Sequence, residues 1–178
     1  MKTVFVDVDT QIDFLFPAGA LYVRGAERLL PAIARLNRYA VEHSMPLIST
    51  ADAHSENDPE FRDWPPHCVA GTTGQLKPGE TLVGMGQTIV EKQALDVFTN
   101  PEFPALLERL QADRYVVYGV ATDYCVRCAV TGLVNTGKAV TLVTDAIAAV
   151  NAGDGAKTLA EFEARGGQLT TVRQITSA

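Results

Sequence analysis

Cys125 stands where an apolar run turns into a helical pattern, within Gly119-Val120-Ala121-Thr122-Asp123-Tyr124-Cys125-Val126. A cysteine in the first turn of a helix meets the positive end of the helix dipole, which lowers its thiol pKa. The unpaired N–H groups of that turn can hold an oxyanion. Together these make the thiol counterpart of a nucleophile elbow. The plainer alternative is a small buried residue, since free cysteine is among the most buried residue types. Cys125-Val126-Arg127-Cys128 also fits C-x-x-C, the spacing of a redox pair. Against that, no proline separates the two cysteines, and a helix carries Cys128 a turn further in, where a core residue belongs.

Asp52-Ala53-His54 and the later His67 offer one carboxylate and two imidazoles, a donor set suited to Zn²⁺, Fe²⁺ or Mn²⁺. On extended backbone Asp52 and His54 point the same way. The loop after them can return His67 to the same face, with positions left for water or substrate. Of the 3 histidines only His43 lies elsewhere. The alternative is a solvated polar loop. Lys92 directly follows a buried-looking run, and near Asp9 it could hold a thiolate or polarise a carbonyl; taken alone it reads equally as a surface lysine. Asp7-Val8-Asp9-Thr10 resembles the paired aspartates of haloacid-dehalogenase-type phosphatases. Those motifs continue with Gly-Thr, whereas Thr10-Gln11 follow here.

The elements that must position these residues are legible as apolar patterns. Short β-branched or apolar runs predict strands at 3–8, 46–50, 88–91, 114–120, 139–144 and 169–172. Helical spacing predicts helices at 26–43, 104–111, 123–135 and 154–165. Residues 51–80 are polar, rich in Pro, Gly, Asp and His, and without period; a loop that long in a compact domain tends to be functional. Strands that alternate with helices, and that are continuous apolar runs, predict a three-layer α/β/α fold around a six-stranded parallel sheet covered on both faces. Such sheets bind ligands outside the carboxyl ends of their strands. Four of those ends deliver Asp9, Asp52 with His54, Lys92 and Cys125.

At 178 residues, with 47% hydrophobic and 20% charged side chains, the chain fits one globular domain spanning 1–178. A net charge of −6 repels nucleic acid and anionic membrane surfaces. No apolar run approaches the roughly 18 residues of a membrane span. Met1-Lys2-Thr3 leads straight into an apolar run, so the expectation is a chain without a secretory leader. An odd set of 3 cysteines points to a reducing cytoplasm and to reactive rather than structural thiols.

In order, four segments resemble the isochorismatase-like cysteine hydrolases, most closely their nicotinamidase branch. They are Val8-Asp9-Thr10-Gln11-Ile12-Asp13-Phe14 with Gly19-Ala20-Leu21; Asp52-Ala53-His54 with Trp64-Pro65-Pro66-His67-Cys68-Val69-Ala70-Gly71-Thr72; Val90-Glu91-Lys92; and the Gly119–Val126 segment around Cys125. The resemblance implies a Rossmann-like fold and an Asp9–Lys92–Cys125 triad. It implies a divalent metal on Asp52, His54 and His67, with zinc first and iron or manganese as alternatives. It further implies an oxyanion hole from the N–H groups of Ala121 and Cys125, a cis peptide at Val120-Ala121, and an aromatic pocket from Phe14, Trp64 and Tyr124. The implied activity is hydrolysis of small carboxamides, nicotinamide to nicotinate and ammonia, through a thioester, by a homo-oligomer.

Residues 93–101 depart from the Tyr-Ser-containing segment of the nicotinamidases, and that segment helps wall the pocket. Two alternatives therefore stay open. One is the same triad acting on an N-carbamoyl compound or another amide. The other is a non-catalytic member that binds metal or ligand. Isochorismate hydrolysis fits less well, because a cysteine occupies the nucleophile position.

Overall fold

The computed structural model describes residues 1–177. Its strands are β1 (Thr3–Val8), β2 (Leu47–Asp52), β3 (Gln87–Lys92), β4 (Arg114–Val120), β5 (Ala139–Ala148) and β6 (Gln168–Thr170). Its helices are α1 (Ile12–Leu15), α2 (Leu30–Glu42), α3 (Glu102–Leu110), α4 (Cys125–Asn135), α5 (Ala152–Ala164) and α6 (Val172–Thr176). All six strands form one parallel sheet in the order β3-β2-β1-β4-β5-β6. The chain steps outward from β1 to β3, then crosses back to β4. The reversal falls between β1 and β4, which carry Asp9 and Cys125 at their carboxyl ends, and such switch points are where open α/β sheets form ligand crevices.

Two apolar layers sandwich the sheet. On one side Ile33, Leu36 and Ala40 of α2 and Val172 of α6 pack on Phe5, Leu47, Val116 and Tyr118. On the other, Phe103 and Leu107 of α3, Val126, Val130 and Leu133 of α4, and Phe162 of α5 pack on Val4, Val6, Val8, Val117 and Leu142. Burying each such large side chain contributes about 1.5–3 kcal/mol, which is why the strands read as apolar runs. The expected three-layer α/β/α architecture is therefore the observed one. Among the described residues no helix is long and apolar enough to cross a membrane.

Several boundaries differ from the sequence expectation. The predicted 26–43 helix begins as a 3-10 turn, Ala26–Leu29, before Pro31 opens α2. β5 runs to Ala148, beyond the predicted 144. The predicted last strand stops at Thr170, and Val172 instead starts α6, which a Thr171–Gln174 capping box initiates. The one-turn α1 after Asp9 carries too little period to be seen in the sequence. β3 is not covered on both faces: it is an edge strand, and Ile89 is 49% exposed.

Gly119 sits in the β4 bulge at φ 121°, facing the β1 backbone. A Cβ there would lie 2.1 Å from the Val8 carbonyl oxygen, so side chain and strand pairing are incompatible. Gly119→Ala is expected to cost several kcal/mol, a large part of a typical total of about 5–15 kcal/mol. A thermal melt indistinguishable from wild type would contradict this.

Candidate active site

Strand alternation sends Val8 toward α4 and Asp7 toward α2, where Asn37 Nδ2 donates to Asp7 Oδ2 at 3.0 Å. Continued alternation would return Asp9 to the Asp7 side. Instead Asp9 adopts a left-handed φ of 49° and carries its carboxylate to the Val8 side. There Thr50 Oγ1 donates to Asp9 Oδ1 at 2.5 Å, and Thr50 is the register partner of Val8. Asp52 and Lys92 are partners at the ends of β2 and β3, on this same face.

Lys92 is 4% exposed, and its ammonium is shared by three groups. Nζ lies 2.9 Å from Asp9 Oδ2, donates to Asp52 Oδ1, and lies 3.7 Å from Cys125 Sγ. Asp9, Asp52 and Cys125 each bring one donor atom within 4.8 Å of the others. Asp9 Oδ2 is buried and ion-paired with the Lys92 ammonium, with Cys125 Sγ close to the same carboxylate.

Burial raises the Asp9 carboxyl above its ordinary pKa, with the Lys92 charge offsetting only part of the effect. Burial likewise opposes ionisation of Asp52, but Lys92 and His54 outweigh it and hold Asp52 low. Burial disfavours a charged Lys92, yet Asp9, Cys125 and Asp52 together raise it well above its usual value. The Cys125 thiol is also raised, by burial first and by Asp9 and Asp52 next, against the pull of Lys92. This corrects the lowering expected from the helix terminus: the dipole acts on Cys125, the first residue of α4, but desolvation beside two carboxylates is larger. Burial thus opposes the charged forms of both Asp9 and Cys125, and Lys92 is the group that opposes this for both.

Neither the Ala121 nor the Cys125 N–H donates to a protein acceptor among the described residues. The Val120–Ala121 peptide is cis, as the resemblance implies.

Asp52, His54 and His67 are all buried, and one donor atom from each lies within 4.8 Å of the others. His54 N–H donates to Cys68 O and Ala70 N–H to His54 O, a short parallel bridge that folds the long loop back onto β2. His67 Nδ1 lies 2.8 Å from Pro65 O, which assigns the proton to Nδ1 and leaves Nε2 for a ligand. His54 Nδ1 lies 3.0 Å from Asp58 Oδ2 and Nε2 lies 3.8 Å from Asp52 Oδ2, both off hydrogen-bond alignment, so both buried ring nitrogens are unpartnered. Burial would depress His54, but Asp52 and Asp58 raise it to about 9. Two buried ring nitrogens without a hydrogen-bond partner beside a buried carboxylate fit a divalent cation, which would take the place of the His54 proton.

The Isochorismatase domain family matches residues 3–174. The chain belongs to the isochorismatase family. It is 30% identical over 161 residues to the nicotinamidase/pyrazinamidase of Mycobacterium tuberculosis, covering 82% of this chain and 86% of that protein. It is 26% identical over 207 residues to the nicotinamidase of Escherichia coli, covering 93% and 92%. Among solved structures, the Pyrococcus horikoshii pyrazinamidase in complex with zinc superposes with a TM-score of 0.90 at 28% identity, covering 96% of this chain and 99% of that one.

The carboxyl ends of the strands border a pocket that Cys125 helps to line. It encloses about 530 Å³ including its open mouth. Phe14, Trp64 and Tyr124 line it, as expected; the Trp64 and Tyr124 rings meet edge-to-face at 5.2 Å. Leu95 and Val150 form an aliphatic rim. Leu95 comes from the segment that departs from the nicotinamidase pattern.

Sequence reasoning missed four contributors. Glu60 Oε1 lies 3.9 Å from His67 Nε2 and lines the pocket, and Asp58 backs His54. Gln11 clamps β1 to β2 through Asp52 N and O at 2.7 Å each. Asp13 accepts from Cys68 N at 2.7 Å and Ala20 N at 2.9 Å, holding the His67 loop. Two acids four and six residues after His54 were the available signal for the first pair.

Two alternatives fall. Asp7 lies on the far face, ion-paired to Lys77 at 2.8 Å, so it is no partner to Asp9 in phosphoryl chemistry. Cys128 lies by Asp96 and Arg127, outside the residues that line the pocket. Cys68 is buried and its thiol is pushed far up, consistent with an inert residue.

Ionised Asp9 can accept the thiol proton; protonated Asp9 cannot. The rate of Cys125 alkylation by iodoacetamide should therefore rise with pH through an apparent pKa above the ordinary carboxylate value of about 4. A profile already flat above about pH 4 would contradict a raised Asp9.

Proposed function

We propose that this chain is a cysteine amidohydrolase of small carboxamides that converts nicotinamide to nicotinate and ammonia. The observation that carries the reading is the pocket itself. Three aromatic side chains, two unpaired N–H groups and a metal-type donor set converge on one thiol. The relatives named nicotinamidase support the same substrate.

Asp9 takes the proton from Cys125 Sγ, and the thiolate attacks the carboxamide carbon. The N–H groups of Ala121 and Cys125 hold the oxyanion. Asp9 then gives its proton to the leaving ammonia, and water hydrolyses the thioester with Asp9 again as base. Lys92 remains charged throughout and stabilises both carboxylate and thiolate. Phe14, Trp64 and Tyr124 hold the flat ring. Asp52, His54 and His67 would hold a divalent ion, zinc before iron or manganese, which would supply Lewis-acid chemistry beside the bound amide.

The N-carbamoyl alternative is disfavoured by charge. N-carbamoyl amino acids carry a carboxylate, and no lysine or arginine lines the pocket, whose charged residues are Asp52 and Glu60. Lys92 is already occupied by two acids. An anionic substrate would therefore rely on the divalent ion of the Asp52, His54 and His67 set for its counter-charge, whereas a neutral aromatic amide needs none.

Purified enzyme is expected to release ammonia from nicotinamide and far less from an N-carbamoyl amino acid; the reverse order would transfer the substrate assignment. Cys125→Ala should abolish turnover with the fold intact by circular dichroism. Asp9→Asn should cost about 10²–10⁴-fold in kcat, and a change under tenfold would remove it as the base. His54→Ala should lose bound metal by elemental analysis and raise KM. Unchanged metal content would take His54 out of the donor set.

A further inference from the structure

A second buried cation lies behind the sheet, on the face opposite Lys92. Lys77 is 7% exposed and its Nζ donates to Asp7 Oδ2 at 2.8 Å and to Thr10 Oγ1. Thr10 Oγ1 in turn donates to Asp7 Oδ1 at 2.7 Å. Asn37 Nδ2 and Ser49 Oγ donate to Asp7 Oδ2 at 3.0 and 3.1 Å, and Tyr118 Oη donates to Asn37 Oδ1 at 2.6 Å. Every member is buried and partnered, so the cluster offers no place for a ligand. Its position is what matters. Asp7 and Thr10 flank Val8 and Asp9, and Asp9 is the left-handed residue that carries its carboxylate across the sheet. A non-glycine residue at positive φ persists only when its surroundings over-determine it. The triangle of Asp7, Thr10 and Lys77 fixes the chain on both sides of that turn. Lys77 also belongs to the loop that leads on from His67, and this loop is tied to the same turn by Ile12 N–H to Leu76 O at 2.9 Å and Gln11 Nε2 to Gln75 O at 2.7 Å.

We propose that Lys77, Asp7 and Thr10 are positioning residues for Asp9, a buried ion pair behind the sheet that locks the left-handed turn aiming the Asp9 carboxylate at Cys125. This rests on the reading of Asp9 as the base. Thr10 is the member that can be changed most gently. Thr10→Val deletes the hydroxyl at nearly constant shape, and Thr10→Ser keeps it.

The experiment compares metal-loaded wild type, Thr10→Val, Thr10→Ser and Lys77→Met. It follows kcat and KM for nicotinamide, metal content, and the rate of Cys125 alkylation by iodoacetamide. Misplacement of a reacting group by about 1 Å costs on the order of 10²-fold. Thr10→Val and Lys77→Met should therefore lose about that factor in kcat and in alkylation rate. KM and metal content should stay at wild-type values, and Thr10→Ser should recover most of the loss. If Lys77→Met does not fold, the Val and Ser variants at position 10 decide the matter. Wild-type alkylation in Thr10→Val overturns the proposal. So does a Thr10→Val enzyme that loses metal and raises KM in step with kcat, the mark of general loosening. If nicotinamide is not turned over, alkylation alone supports or overturns the proposal. An inert Cys125 in wild type removes the base reading and the proposal with it.

Discussion

One buried ammonium holds the site together. Lys92 emerges from an edge strand into a space that already contains two carboxylates and a thiol. Without it, Asp9 and Asp52 could not both be ionised at such separation, and one would take up a proton. With it, Asp52 is held below the ordinary carboxylate range while Asp9 keeps a raised pKa. The same cation therefore serves both halves of the site, the donor set and the thiol. Breaking a buried group of this kind by removing one partner leaves an uncompensated charge and is strongly destabilising.

The sheet supplies the convergence that Lys92 then stabilises. Register pairs Asp52 with Lys92 and Val8 with Thr50, so three neighbouring strands present their last side chains on one face. The fourth contribution, Cys125, comes from the other side of the topological switch, at the start of α4. Only Asp9 is out of phase with strand alternation, and a single left-handed residue corrects the phase. The site thus uses regular secondary structure for three of its members and one strained residue for the fourth, where strain of this kind is characteristic of functional positions.

The His67 loop shows how an aperiodic segment becomes rigid. Residues 53–86 contain only short 3-10 turns, yet they return a histidine to the end of β2. Asp13 and Gln11 bond to this loop from the β1 side, and the loop's own Lys77 reaches back to Asp7 on the far face of the sheet. Those bonds replace the helix that usually joins parallel strands. The loop's order therefore depends on long-range polar contacts rather than on local propensity.

The sequence by itself determined the sheet, its layers and the types of residue at its carboxyl edge. Apolar runs and helical periods are local signals, and burial on two faces leaves them legible, as at β1, β4 and α2. The motif order also singled out Asp9, Lys92 and Cys125, and Asp52, His54 and His67, two sets that the fold brings close together. Tertiary structure alone decided that the acids Asp58 and Glu60 back His54 and His67 and that Lys77 pairs with Asp7, because all three lie in a segment with no period to read. It alone decided that the Cys125 thiol is raised rather than lowered, since desolvation depends on everything packed around the atom and not on its place in a helix. It also decided that Asp7 and Asp9, two residues apart, serve opposite faces of the sheet: one backbone dihedral angle separates them, and no side-chain pattern encodes it.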